Sequence, residues 1–301
     1  MRLWLLLIPL AVVATDWPTP QAAPFVSAAA CADCHGEIVA QWSASRHKVA
    51  WSNIIFQTEY QQKAPGPFCI TCHAPLAEQA AEALYGSPGE SAHEGVTCAT
   101  CHVRAGQILG VSDGAAHPYD GVARDPDALC AGCHDFDFPN STEPMQATVR
   151  EAQALGAESC VSCHMPQGEH NFKGGHDLET LRGAISVTAT RKRDRVEFTI
   201  EAKNVGHAVP TGELYRHLTL EIRARGGWTE LAWLGRRLQR ATEGDPSVLL
   251  TILDTRLWPG QPLVVSTTAK ADAWRLRFHY APDSSPLPEE TRTALVAQGA
   301  L

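Results

Sequence analysis

The chain has 301 residues, 44% of them hydrophobic and 19% charged, with a formal net charge of −8. This is the composition of a folded globular protein rather than a disordered or membrane-embedded one. The acidic balance excludes a general nucleic-acid surface. Aromatic residues reach only 7%, which is little bulk for a large core, whereas cysteine and histidine are abundant at ten and thirteen.

At the N-terminus Arg2 precedes an apolar run from Leu3 to Ala14, broken at Pro9. The run is too short to span a bilayer and reads as a signal peptide over residues 1–14, with Val12 and Ala14 at a small-residue cleavage site. The competing reading is an uncleaved anchor. No comparable run follows, so the mature chain is expected to lack a membrane span and to be periplasmic or extracellular.

Export permits disulfides, but the cysteine spacing points elsewhere. Cys31/Cys34, Cys69/Cys72, Cys98/Cys101, Cys130/Cys133 and Cys160/Cys163 each enclose two residues. Each second cysteine is followed by histidine: His35, His73, His102, His134 and His164. C-x-x-C-H is the attachment signal of c-type haem. Two thiols on one turn reach the two vinyl groups of a porphyrin, and the next imidazole projects at the iron as proximal ligand. Zinc sites need two C-x-x-C pairs per metal and no fixed adjacent histidine. Thiol redox motifs come singly on a strand–helix unit. The cofactor expected is therefore haem c, five copies, covalently attached. Five porphyrins also supply the missing aromatic bulk.

Residues 31–182 hold every cysteine and ten of the thirteen histidines and form the expected pentahaem domain. Short helices are its expected scaffold. Apolar residues at Ile38, Val39, Trp42 and Val49 give Gly36 to Ala50 a helical pattern. Pro75 to Leu84 is rich in Ala, Leu and Glu. Asp127 is a candidate cap for a turn into Cys130, and Glu143 to Leu155 reads as a helix stopped by Gly156.

Beyond residue 182 the period changes from helical to alternating. Strands are expected from Ala184 to Ala189, Arg195 to Ala202, His217 to Ala224, Leu263 to Thr267 and Ala273 to Tyr280. Turn signals stand at Arg225-Gly226-Gly227 and Trp258-Pro259-Gly260. The fold class expected is α+β in two domains: the short-helix haem domain, then an immunoglobulin-like β-sandwich over 183–281. Residues 282–301 read as a tail, a loose helix or disordered. Charge divides at the same place: residues 15–182 carry eight Lys/Arg against twenty Asp/Glu, and residues 183–301 sixteen against thirteen. The acidic half suits a basic redox partner. The basic side of the second half is placed to lie against it.

The sixth iron position decides function. Bis-histidine ligation leaves outer-sphere electron transfer, whereas an open iron binds a small substrate. The mature chain offers only Met145 and Met165 as methionine ligands, so histidine is the expected partner. Outside the motifs lie His47, His93, His117, His170, His176, His207, His217 and His279. The expectation is that His47, His93, His176 and His207 face proximal histidines, with His170 or His117 as the fifth. His207 sits in a loop of Gly and Pro suited to reach across the domain boundary. His217 and His279 lie in strand patterns and are read as sheet residues.

Cys31 to His35 followed by Trp42, Ser45 and His47 resembles multihaem cytochromes of the cytochrome c554 type. So do Gly95 to His102 and Ser159 to Pro166. The loop Gly206-His207 to Pro210-Thr211-Gly212 resembles a sheet module attached to such haem domains. That family is related to hydroxylamine oxidoreductases. In it the histidine of the Trp-x-x-Ser-x-His pattern is a distal ligand, which implies His47, and haem pairs stack closely enough to conduct. This chain departs from the family in its five motifs and its sheet domain. The resemblance implies an electron carrier between redox partner proteins, compatible with a place as subunit of a larger electron-transfer complex. The alternative is an oxidoreductase acting on a small nitrogen or sulfur compound at one open haem. Against it, the C-x-x-C-K variant used at the active haem of related nitrite reductases is missing here.

Overall fold

The computed structural model describes residues 25–62, 66–86, 89–104, 106–110, 117, 126–138, 141–242 and 249–301. The expected signal peptide and its cleavage site lie outside the described residues. The fold is α+β: short helices dominate the first half and antiparallel sheets the second. Among the described residues no helix is long and apolar enough to cross a membrane.

The first half contains α1 (Ala28–Ser43), α2 (Ile54–Gln62), α3 (Pro67–His73), α4 (Ala77–Tyr85) and α5 (Cys98–His102). After the two-residue strands β1 (Val103–Arg104) and β2 (Gln107–Ile108) come α6 (Pro126–His134), β3 (Asp135–Asp137) and β4 (Pro144–Ala147). Then follow α7 (Thr148–Ala154), α8 (Cys160–His164) and α9 (Leu178–Ala184). The protein core here is small. One cluster joins Trp51, Tyr60, Ile70, Ala74 and Ala92, and another Leu76, Ala99 and Val103. Polar ties hold the pieces instead. Buried Gln79 accepts from the Leu76 amide and donates to the carbonyls of Ser91 and Gly95.

Two local expectations need correction. Asp127 does not cap its own helix. Its carboxylate accepts from the Ser159 hydroxyl and the Cys160 amide, 2.8 and 2.9 Å away, and so pins the start of α8 to α6. Of the stretch from Glu143 to Leu155, only the second part is helical. Pro144 to Ala147 instead pairs with β3 as a hairpin.

Helix α9 runs directly into β5 (Ile185–Arg191), which pairs with β6 (Val196–Ala202). Next come β7 (His217–Ala224), β8 (Gly227–Leu234), β9 (Arg236–Arg240), β10 (Leu249–Asp254), β11 (Leu263–Thr267) and β12 (Ala271–His279). The chain closes with α10 (Glu289–Arg292) and β13 (Thr293–Ala300). One sheet has the order β11-β6-β5 and a second β13-β12-β7-β8, while β9 and β10 form a separate hairpin. The first two sheets share one core: Phe198 and Ile200 from one, Leu218, Leu220, Leu276 and Phe278 from the other. The β7–β8 turn has positive φ at Arg225 (52°) and Gly226 (82°), as a two-residue type I′ hairpin demands.

The C-terminal residues are not a loose tail. β13 pairs with β12 along its length and buries Val296 in the core. Its sequence hides this, since small residues replace a clear alternation. Gly299 lies under Trp274, where a Cβ would come within 2.7 Å of the indole nitrogen. Truncation after Arg292 would uncover one edge of β12 and open the space held by Val296. The expected result is a loss of about 3 kcal/mol or more in the stability of the sheet half. Denaturant unfolding followed by tryptophan fluorescence, set beside an unchanged visible spectrum, measures it.

Candidate haem centres

Each C-x-x-C-H motif occupies a short helical segment. Residues i, i+3 and i+4 lie on one face of a helix, so two thiols and an imidazole leave each segment together. The helix ends at the histidine in α3, α5, α6 and α8. In α1 it breaks there, with His35 at φ −121°, ψ 35°. None of the ten cysteines is in a disulfide.

The imidazoles are oriented by backbone. Nδ1–H of His73 donates to the Ala50 carbonyl and that of His164 to the Lys173 carbonyl, both at 2.6 Å. Each bond leaves the Nε2 lone pair free, the state an iron ligand needs. Burial drives the pKa of His73 and His134 down to about 4, so both rings are neutral at ordinary pH.

Four proximal rings each face another histidine with ring centroids 6.3 Å apart: His35 with His117, His47 with His134, His102 with His170, and His164 with His207. A metal–imidazole bond of about 2.0 Å, with about 1.15 Å from ring nitrogen to centroid, puts two rings on opposite sides of one iron at roughly 6.3 Å. Direct ring packing gives shorter separations here, such as 3.6 Å for Phe56 on His73 and 4.1 Å for His217 on His279. The recurrence of one longer value at four motifs is a slot of fixed width. His170 and His207 also give Nδ1–H to carbonyls, of Gly168 and Ala208, leaving Nε2 for the slot.

The Trp-x-x-Ser-x-His pattern has a local cause. The Trp42 indole donates to the Val96 carbonyl at 2.8 Å, and the Val96 amide donates to the His47 carbonyl at 2.9 Å. Gly95 (φ +60°) makes this approach possible, since a Cβ there would lie 2.4 Å from the His47 carbonyl oxygen. Burial lowers the His47 pKa to about 4.

Two histidines expected at iron stand elsewhere. His93 is exposed in a one-turn helix, and its carbonyl accepts from the Lys48 ammonium. His176 stacks on Tyr280 at 4.3 Å and 13° rather than facing a motif ring. Its glycines bring it against the sheet half, where Tyr280 Oη donates to the Gly175 carbonyl. His73 faces no histidine at slot distance among the described residues. Phe56 lies flat on it, backed by Trp51 and Tyr60.

Contacts between thiols order the motifs. Cys31 lies beside Cys98, Cys72 beside Cys133 and Cys130 beside Cys160, and Cys101 lies near Cys133. The fourth motif thus adjoins the second, third and fifth.

Residues the sequence reading missed line the same region. Phe172, at φ 47°, packs against both His47 and His170. The Arg46 and Arg216 guanidinium groups lie near each other and near Tyr280 and His176, and burial lowers both arginines' pKa. Only the position of Arg46 beside His47 could have flagged either.

The sheet half enters the site through the β6–β7 loop that carries His207. Gly206 passes so close to Ala157 that a Cβ would sit 2.5 Å from the alanine Cβ. Thr211 donates to Glu151, Arg256 pairs with Glu151 at 2.5 Å in a nearly buried ion pair, and Arg236 donates to the Met145 carbonyl.

The sequence signature of the family described as Cytochrome c554 and c-prime matches residues 30–103. The fold resembles a penta-heme cytochrome c552 from Thermochromatium tepidum at TM-score 0.73 and 23% identity, over 92% of this chain and 99% of that one. A superoxide reductase in the oxidized state matches at TM-score 0.22 and 8% identity, over 40% of this chain and 87% of that one, too low to carry any argument. No curated relative matches the sequence. Attachment motifs, ring slots and family signature together make this a multihaem c-type cytochrome. Its cofactor is haem c, covalently bound.

Gly206→Ala is expected to cost about 1–3 kcal/mol, because its methyl meets Ala157. Ala157→Gly in the same chain should recover most of that loss. A thermal or denaturant double-mutant cycle reads both.

Proposed function

We propose that this chain is an exported electron-transfer protein with five covalently attached haems, four of them held between two histidines. The observation that carries the reading is the four-fold recurrence of the 6.3 Å imidazole slot. The pairs are His35/His117, His134/His47, His102/His170 and His164/His207, with Cys31, Cys34, Cys69, Cys72, Cys98, Cys101, Cys130, Cys133, Cys160 and Cys163 as attachment points. Each haem, when bound, stores or releases one electron at its iron. The chain's own groups would do the rest: two imidazoles per slot would ligate the iron and leave substrate no position on the metal. The cysteine contacts link all five motifs into one path centred on the fourth. Export rests on the apolar segment over residues 3–14, the role of the β domain as an immunoglobulin-like sandwich on its two sheets with a shared core, and a basic redox partner on the acidic first half.

Arg216, whose charge lies close enough to His134 to lower its pKa, and Arg46, next to His47 in sequence and near Arg216, are the residues that would hold haem propionates. Losing a cation beside a haem favours its ferric state. Arg216→Gln is therefore expected to lower one of the five reduction potentials, on the order of tens of millivolts. Spectroelectrochemical titration against the parent protein measures the change.

A second reading rests on His73, which faces no histidine at slot distance among the described residues. An open sixth position there would make the second haem a site for a small nitrogen or sulfur compound. The spectrum of the reduced protein with and without carbon monoxide tests both readings. Four filled slots predict that at most one haem in five responds, and that His207→Ala adds a second. A rapid response from most of the haem overturns the assignment of the slots. Reoxidation of the reduced protein by nitrite or sulfite at catalytic rates, abolished by carbon monoxide, would favour the second reading.

A further inference from the structure

The sheet half holds two histidines that the haem slots do not use. His217 opens β7 and His279 closes β12, and the two are directly paired across antiparallel strands. Their side chains therefore share one face, the one opposite the core face of Leu218, Leu220, Leu276 and Phe278. The rings stack at 4.1 Å and 12°, and Trp233 covers the far side of His217. Both are buried, at 6% and 4% exposure. Asp283, four residues beyond His279 in the following loop, completes the group. One ligand atom from each of the three residues lies within 4.8 Å of the others.

The hydrogen bonds of the two rings leave a matched pair of lone pairs. Nδ1 of His217 is engaged by the Tyr215 carbonyl at 2.8 Å, so it carries the proton and Nε2 is free. Nε2 of His279 is engaged by the Thr219 hydroxyl at 2.9 Å. Nδ1 of His279 is buried and has no hydrogen-bond partner among the described residues. The polar side chains that follow on this face are ion-paired: Arg275 and Arg277 both reach Glu221, and Arg277 also reaches Glu289. A metal-ligating histidine characteristically gives its other N–H to a protein acceptor, and both rings have one.

We propose that His217, His279 and Asp283 form a binding site for a divalent transition-metal ion of borderline softness, zinc being the type case. Two imidazoles and a carboxylate are the donor set such ions take, with a fourth position left for water. Tetrahedral bonds of about 2.0–2.1 Å put ligand atoms roughly 3.3 Å apart. Closing from the present spread needs small ring rotations and an inward swing of Asp283. The carboxylate can make it, being 82% exposed and, among the described residues, ion-paired with Arg292 at 3.6 Å. Bound metal would clip β7 and β12 to the loop after β12. It would lie on the far face of the sheet from Tyr280, which points toward the haem half.

The test uses haem-loaded full-length protein without a histidine tag, treated with chelator and then titrated with Zn(II) by calorimetry. One zinc per chain is expected, confirmed in crystals by anomalous scattering at the zinc edge, which separates it from iron. Asp283→Asn sits on the surface and should leave folding intact while weakening zinc at least ten-fold. His279→Gln should abolish high-affinity binding, with circular dichroism confirming that the sheet is retained. Unchanged zinc affinity in Asp283→Asn, anomalous density away from these residues, or no binding up to millimolar zinc would each overturn the proposal.

Discussion

On the proposed reading, the width of an imidazole–metal–imidazole sandwich is the dimension to which the first half is built. A proximal histidine is placed by its own motif, within one helical turn of two cysteines. Its partner must then be held opposite with an error well below an ångström, by chain that is distant in sequence. Much of the half that looks irregular serves this. Trp42, Val96 and Gly95 lock the turn bearing His47, and Gly168 and Ala208 supply carbonyls that orient His170 and His207. Regular secondary structure is scarce because long helices could not bring so many rings to so many separate slots.

The small protein core follows from the same constraint. Where porphyrins fill the interior, side chains need only bridge between them, and the buried clusters around Trp51 and Leu76 are correspondingly minor. Cofactor binding energy is then part of folding energy. The polar ties, such as Gln79 to Gly95 and Asp127 to Cys160, fix loop ends that no packed core would otherwise hold.

What was legible in the sequence divides by range. The attachment motifs are local chemistry at fixed spacing, and no tertiary information is needed to read them. Strands β6, β7 and β12 were visible because apolar residues facing the shared core alternate with polar ones, although in β7 the polar face of His217, Thr219 and Glu221 is buried too. β8 and β13 were not, since β8 is exposed over much of its length and β13 is built from small residues that fit under Trp274. Distal histidines are the opposite case from motifs. His176 shares the glycine-rich segment of His170, yet only His170 reaches a slot, because Tyr280, just after β12, stacks on His176. Nothing within that segment distinguishes the two. Phe172 and Arg216 were invisible for the same reason, being defined by what the fold brings to them.

The charge asymmetry between the halves finds part of its meaning at their contact. The sheet half directs arginines inward: Arg256 onto Glu151, Arg236 onto the Met145 carbonyl, and Arg216 toward the ring slots. A buried ion pair such as Arg256–Glu151 adds little net stability over an apolar contact, but breaking one side of it is costly. It therefore acts chiefly on register, holding the β6–β7 loop in the one position where His207 lies opposite His164. The loop's glycine approach to Ala157 imposes the same register sterically. A sheet domain that merely docked partners would need neither device. Both are explained if the second half completes a metal slot of the first, so that the two halves form one electron-carrying unit rather than a carrier and an appendage.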